Sequence, residues 1–179
     1  WNGQLAELGA RIVARRLEAL DDIQPLLDDY YQSIAPTPEK LKAEYRGPVS
    51  LETRDSGQEI LFEALRDRLP QEVELRYTLT GPHRDNLVFS LDGKAAHQFG
   101  SKGQLKTVLL SWKLAEATFL ERQTGWRPVL LMDDIFSELD PKRAEAVLEM
   151  VPRFGQVVLT SARDPDLDFE AQGFRLLEL

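Results

Sequence analysis

Leu5, Leu8, Ile12, Leu20, Ile23, Leu27, Tyr30, Tyr31 and Ile34 recur at mostly three- and four-residue spacing, the period of an amphipathic helix, and predict one helix over residues 4 to about 34. Pro25 lies inside that run and, lacking an amide donor, should kink or break it. Ala35-Pro36-Thr37-Pro38 ends it. A short extended piece around Leu41 to Arg46 follows. Then come a polar loop from Gly47 to Gln58 and a second helix from Glu59 to Leu69, stopped by Pro70.

From Leu75 the pattern changes. Leu75, Tyr77 and Leu79 alternate with polar residues, as do Leu87, Phe89 and Leu91 before Asp92-Gly93, and both runs read as strands. The segment Ser101 to about Gln123 carries Leu105, Val108, Leu109, Trp112, Ala115 and Phe119, a helical stripe suited to packing on a sheet. A buried-type strand Val129 to Met132, a helix from Pro141 to about Met150 and a second buried-type strand Gln156 to Leu159 complete the pattern. Strand, helix, strand implies parallel α/β construction. There is no internal repeat and no low-complexity tract.

Composition narrows the class. The 179 residues suit one domain or a compact lobe with an arm, and 42% hydrophobic with 29% charged residues is the balance of a globular chain rather than a disordered tail. The absence of cysteine excludes disulfides, thiolate metal sites and cysteine nucleophiles, and fits a reducing cytoplasm. No apolar stretch is long enough to span a bilayer and Trp1-Asn2-Gly3-Gln4 lacks the features of a secretory signal, so a cytoplasmic protein without a membrane partner is expected. A first residue of Trp1 instead of methionine suggests a chain that begins inside a longer protein. The formal net charge of -8 opposes a uniformly cationic nucleic-acid binder but leaves room for a local basic patch. Arg11, Arg15 and Arg16 form the densest basic stretch and read first as a solvated helix face.

Two segments carry candidate chemistry. Ser101 with Gln104 makes a capping box, in which the serine accepts an amide hydrogen bond and the glutamine reaches back to the serine amide. A glycine such as Gly103 in the first helical turn costs roughly 1 kcal/mol against alanine, which points to a large group approaching the backbone. Gly100 and Gly103 leave amides uncovered, the helix dipole favours an anion there and Lys102 adds positive charge. Asp133 and Asp134 end the first buried-type strand. Asp140, before Pro141, is the natural helix cap, so capping does not account for the pair. Acids at the carboxyl end of a parallel strand lie where open α/β sheets bind ligands, and they can serve magnesium and a nucleophilic water.

A Walker A loop is absent: Gly93-Lys94 is followed by Ala95 and is better read as a hairpin turn. This chain alone is therefore expected to bind ATP weakly and to be inactive as an ATPase. His83 and His97 are too few for a zinc site. Gly81-Pro82-His83-Arg84-Asp85 is either a turn with a surface salt bridge or a functional loop built on His83, Arg84 and Asp85.

Ser101-Lys102-Gly103-Gln104 resembles the Ser-x-Gly-Gln signature of ABC-type ATPases, Asp133-Asp134 their Walker B acids and Ser137 to Asp140 their D-loop. Thr80 to Asp85, Phe99 to Gln104 and Leu131 to Asp134, with the opening Trp1 to Arg16, are similar to the RecF family, bacterial proteins of DNA replication and recombinational repair. The resemblance implies an α/β fold: the carboxyl-terminal lobe of an ABC-type (P-loop NTPase) head, residues 73–179, with a lid-like helical arm over 1–72. A Walker A half would precede Trp1.

It also implies ATP and Mg2+ as cofactors, a homodimer on ATP binding, DNA near single-strand gaps as ligand and RecR as partner in RecA loading. By position Asp133 would serve the metal and Asp134 the general base. Ser101, Lys102, Gly103 and Gln104 would meet the γ-phosphate held by the other subunit, and Asp140 would contact that subunit. Thr160 stands where most ABC proteins have a switch histidine, and Asp134 where most have glutamate, one methylene longer.

Overall fold

The computed structural model describes residues 1–47, 56–136, 139–161 and 169–175. The proposed D-loop residues Ser137 and Glu138, and most of the loop expected from Gly47 to Gln58, lie outside the described residues. The elements run α1 (Asn2–Ile34), β1 (Leu41–Arg46), α2 (Gly57–Leu75), β2 (Asn86–Leu91), β3 (Lys94–Ala95), α3 (Ala96–Phe99), α4 (Lys102–Thr124), β4 (Leu130–Met132), α5 (Pro141–Met150) and β5 (Val157–Leu159). One sheet has the order β1-β2-β3 and the other pairs β4 with β5. None of the described helices is long and apolar enough to cross a membrane.

The chain forms two compact units, Trp1–Asp22 with Ala43–Val88 and Ile23–Lys42 with Phe89–Leu179. Their boundaries fall within α1, β1 and β2. The reason is that the carboxyl-terminal half of α1 belongs to a different core from its first half.

In the first unit, the small face of α1 is the buried one. Ala6 packs with Leu61 and Leu65 of α2, and a Cβ on Gly9 would stand 2.6 Å from the Leu61 side chain. Leu5, Leu8 and Ile12, the larger apolar residues expected to face a core, are exposed. Close approach of α2 selects the small residues.

Pro70 does not stop α2, which continues to Leu75. Nor do Leu75, Tyr77 and Leu79 form a strand. Arg76 turns into the left-handed conformation and ends the helix, and the following backbone finds its partner in a side chain. The buried Glu72 carboxylate accepts from the amides of Leu79, at 2.6 Å, and Thr80, at 3.2 Å. These two bonds replace a strand ladder and tie down the last turn beyond Pro70.

In the second unit, α1 likewise runs on through Pro25. Ile23, Leu26, Leu27, Tyr31 and Ile34 are buried on either side of it. Burial worth about 1.5–3 kcal/mol per large side chain outweighs the roughly 3 kcal/mol that an interior proline costs. The main core joins Ile34, Leu110 and Leu114 to Met132, Ile135, Phe136, Val147 and Phe154. Asp92 and Gly93, both at positive φ, make the expected tight hairpin between β2 and β3.

Strands β4 and β5 are parallel, with Leu130 opposite Val157 and Met132 opposite Leu159. The register confirms parallel construction but not the two-sided burial expected of such strands. Leu130 and Met132 face the core, while Leu131 is 76% exposed and Val158 is also exposed.

Glu72→Ala is expected to destabilise the chain by about 2 kcal/mol, since it strands two backbone amides, one of them buried. Glu72→Gln, which keeps the accepting oxygen, should retain most of the stability. Urea midpoints measure both; equal midpoints for Ala and wild type would show that the two hydrogen bonds do not hold this segment.

Candidate functional site

Helix α4 begins at a closed capping box. Ser101 is the cap, its hydroxyl accepts from the Gln104 amide at 3.2 Å, and Gln104 Oε1 accepts from the Ser101 amide at 2.9 Å. Ser101 and Lys102 are exposed and Gly103 is half-buried. A hydroxyl that accepts one bond can still donate its own proton, so Ser101 can bind an anion without opening the cap. Gly100 has a different reason from the one read in the sequence. A Cβ there would stand 2.6 Å from the Ala96 carbonyl oxygen, so α3 requires that glycine for packing.

At the ends of the parallel strands the structure brings Asp133, Asp134 and Thr160 together. The Thr160 amide donates to the Met132 carbonyl at 3.0 Å, extending the ladder by one residue. Its hydroxyl donates to Asp133 Oδ1 at 2.5 Å and accepts from the Asp134 amide at 3.1 Å. Asp134 sits at φ 46, the left-handed region that costs a non-glycine residue energy unless its surroundings hold it. The Thr160 hydroxyl supplies part of that hold.

Lys106 supplies another part, its Nζ donating to the Asp134 carbonyl at 2.8 Å. This lysine ties α4 to the acidic tip, and sequence reasoning missed it. The only signal was its spacing of one helical turn from Lys102, which equally suits a solvated helix face.

A single threonine hydroxyl thus links both acids. Asp133 is exposed and so can reach a cation. Among the described residues no three metal-ligating side chains cluster, and magnesium needs no such cluster. It is commonly held by one or two carboxylates, water and substrate phosphate, and Asp133 fits that use.

Asp140 caps α5: its Oδ1 accepts from the Arg143 amide at 3.2 Å and its Oδ2 pairs with the Arg143 guanidinium at 2.8 Å. In the other unit, the Gly81 to Asp85 turn is bound internally. Arg16 donates to the Pro82 carbonyl and to the Tyr45 hydroxyl, which donates to Asp85. Burial, and then the Asp85 carboxylate, push the Tyr45 phenol up to about 12. His83 meets the Thr78 hydroxyl, and Arg84 donates to the Thr78 carbonyl and lies over the Tyr77 ring.

Beside the acidic tip runs a groove of about 820 Å³ between α4 and β4. Its apolar wall includes Leu105, Leu109, Leu120, Val129 and Leu131, and Lys102, Lys106 and Asp133 also line it. Leu109, read in the sequence as part of the buried stripe, is 59% exposed. Val108 and Ala115 of that stripe are buried, and Leu110, Leu114 and Ala117 share the core side of α4 with them.

Parallel strands ending in paired acids, next to a capped helix that opens Ser-Lys-Gly-Gln, form the carboxyl-terminal lobe of an ABC-type ATPase. Two solved structures of the recombination mediator protein RecF in the RecFOR pathway superpose on this chain with a TM-score of 0.76. One is RecF-ATPrS, at 30% identity over 90% of this chain and 44% of that one. The other is RecF-ATP, at 29% identity over 93% and 45%.

No family model matches the chain. Curated relatives are the DNA replication and repair protein RecF of Prosthecochloris aestuarii, 38% identical over 94% of this chain and 46% of its own length, and that of Streptomyces avermitilis, 37% identical over 98% and 47%. The chain belongs to the RecF family, as its carboxyl-terminal half, and spans about half the length of the curated relatives it matches.

Thr160→Val keeps the shape and removes the hydroxyl, and should cost about 1 kcal/mol of stability. The urea midpoint is expected to fall with an unchanged slope. Faster hydrogen exchange at the Asp134 amide should accompany it; unaltered exchange would mean that the hydroxyl does not hold the acidic tip.

Proposed function

We propose that this chain is the half of a recombinational DNA-repair ATPase that closes a nucleotide site in trans. The observation that carries the reading is the closed capping box at an exposed helix start, in the same unit as two acids joined by one threonine hydroxyl. Helix amides and the Ser101 hydroxyl, with Lys102 nearby, would meet the γ-phosphate of a nucleotide held by a second copy. Asp133 would hold Mg2+, which when bound neutralises phosphate charge. Asp134 would take a proton from the attacking water, and Thr160 would keep both acids in place. Asp140 would face the second subunit through the edge of its carboxylate that its own helix leaves accessible.

On this reading ATP joins two heads, and the dimer binds DNA at single-strand gaps and acts with RecR in RecA loading. The net charge of -8 limits DNA contact to local basic patches. Arg16 is engaged within the fold and Arg15 pairs with Glu18 at 3.0 Å on the helix surface, while Arg11 is exposed on the same arm. His83, Arg84 and Asp85 would shape that part of the protein through the bonds they make within the turn. Relatives named for DNA replication and repair, and structures of RecF-ATP, support the reading.

The remaining half of such a protein needs a docking face, and the α4/β4 groove supplies one. Among the described residues this sheet has two short strands and leaves Leu131 exposed, an apolar surface of the kind that a second layer covers in parallel sheets. The occupant would be the amino-terminal half carrying Walker A. Leu131→Asp should prevent the two halves from co-purifying when expressed as separate chains. Undiminished co-purification would refute the docking assignment.

Ser101→Arg, in the protein completed with its amino-terminal half, should abolish ATP-dependent dimerisation and leave ATP binding by the monomer within about twofold of wild type. Sedimentation velocity with and without ATP reads the first and a fluorescent ATP analogue the second. Dimerisation that survives the substitution would remove α4 from the nucleotide site.

A further inference from the structure

Gln104 closes the capping box with its carbonyl oxygen, and its amide nitrogen is also engaged. Nε2 donates to Glu39 Oε1 at 2.7 Å. Glu39 lies in the segment between α1 and β1, within the same compact unit as α4. Its other oxygen, Oε2, accepts from the Tyr31 hydroxyl at 2.7 Å, and its backbone carbonyl accepts from Gln32 Nε2 at 2.5 Å. Tyr31 is fully buried, with 0% exposure. Burial, and then the hydrogen bond to Glu39, hold its phenol well above the ordinary range, so it stays a donor.

A carboxamide can sit in two orientations that differ by exchange of oxygen and nitrogen. An ionised carboxylate only accepts. Glu39 therefore rejects the flipped Gln104, whose oxygen would face a carboxylate and whose NH2 would face the Ser101 amide. The orientation that satisfies Glu39 is the one that presents Oε1 to Ser101. A negative charge near a candidate phosphate site works against binding an anion, so the placement of Glu39 is accounted for by what it does to Gln104.

We propose that Glu39, anchored by Tyr31, is a positioning residue that sets the orientation of Gln104 and so keeps the start of α4 closed and aimed. The chain of contacts is Tyr31 to Glu39 to Gln104 to Ser101. The consequence for nucleotide rests on the function proposed above, while the positioning itself is readable without it. Gln104 then acts as a strut, both ends of its amide being occupied, and the phosphate contacts fall to Ser101, Lys102 and the backbone.

The test exchanges the two ends of the Glu39–Gln104 bond in the full protein. Glu39→Ala should raise hydrogen exchange at the Ser101 amide and weaken ATP-dependent dimerisation, each by about tenfold, the loss of one charge-assisted hydrogen bond. Glu39→Gln can turn its carbonyl oxygen to accept from Gln104 while its NH2 donates to the Tyr31 oxygen, and should recover most of both. Gln104→Glu sets two carboxylates against each other and should show the defect. Glu39→Gln combined with Gln104→Glu rebuilds the pair with donor and acceptor exchanged and should relieve it. This pair of variants keeps side-chain length and carries the test if Glu39→Ala does not fold.

Two failures are separable. If Ser101→Arg abolishes dimerisation while Glu39→Ala and Gln104→Glu change neither readout, the positioning role is wrong and the nucleotide reading stands. If Ser101→Arg leaves dimerisation intact, the nucleotide reading falls, and exchange at the Ser101 amide still decides the role of Glu39. A double variant no better than Gln104→Glu alone in that exchange would overturn the inference.

Discussion

Two short parallel strands that end side by side are the constraint on which the candidate site depends. Pairing Met132 with Leu159 brings the residues that follow, Asp133 and Thr160, to one edge. One hydroxyl can then donate to the first acid and accept from the amide of the second. The left-handed turn at Asp134 is tolerated because Thr160 and Lys106 hold its amide and carbonyl from two directions. Take away the parallel register and the acids become an ordinary charged turn.

The start of α4 has its own system of support. A capping box is common, but here its glutamine is oriented by a carboxylate that is in turn held by a buried phenol. Each acceptor-only or donor-fixed group removes an alternative arrangement for the next. Preorganisation of this kind matters where backbone amides must meet an anion, because a loosely held helix start would lose binding energy to ordering.

Hydrophobic burial explains both what is finished and what is open in this chain. The core around Leu114, Val147 and Phe154 is closed. The outward side of β4 and the adjoining side of α4 present Leu131 and Leu109 to solvent. For parallel strands, which ordinarily carry layers on both faces, such an apolar wall is the surface to which the proposed docking is assigned. That agrees with a chain spanning about half the length of its RecF relatives.

Local chemistry was legible in the residues themselves. Ser101 and Gln104 dictate a capping box, Asp140-Pro141 a helix start, Asp92-Gly93 a tight hairpin, and an apolar run ending in two acids a strand tip. Each depends on neighbours within a few positions, so the sequence by itself determined it. Partners beyond that short range were decided only by the tertiary structure. Glu72 replaced a strand ladder and tied down α2 beyond Pro70, packing carried α1 through Pro25, Lys106 reached Asp134, and Glu39 selected the orientation of Gln104. The physical reason is common to all four: a carboxylate, a lysine or a proline has the same local pattern in solvent as in a core, and only burial and a distant partner distinguish them.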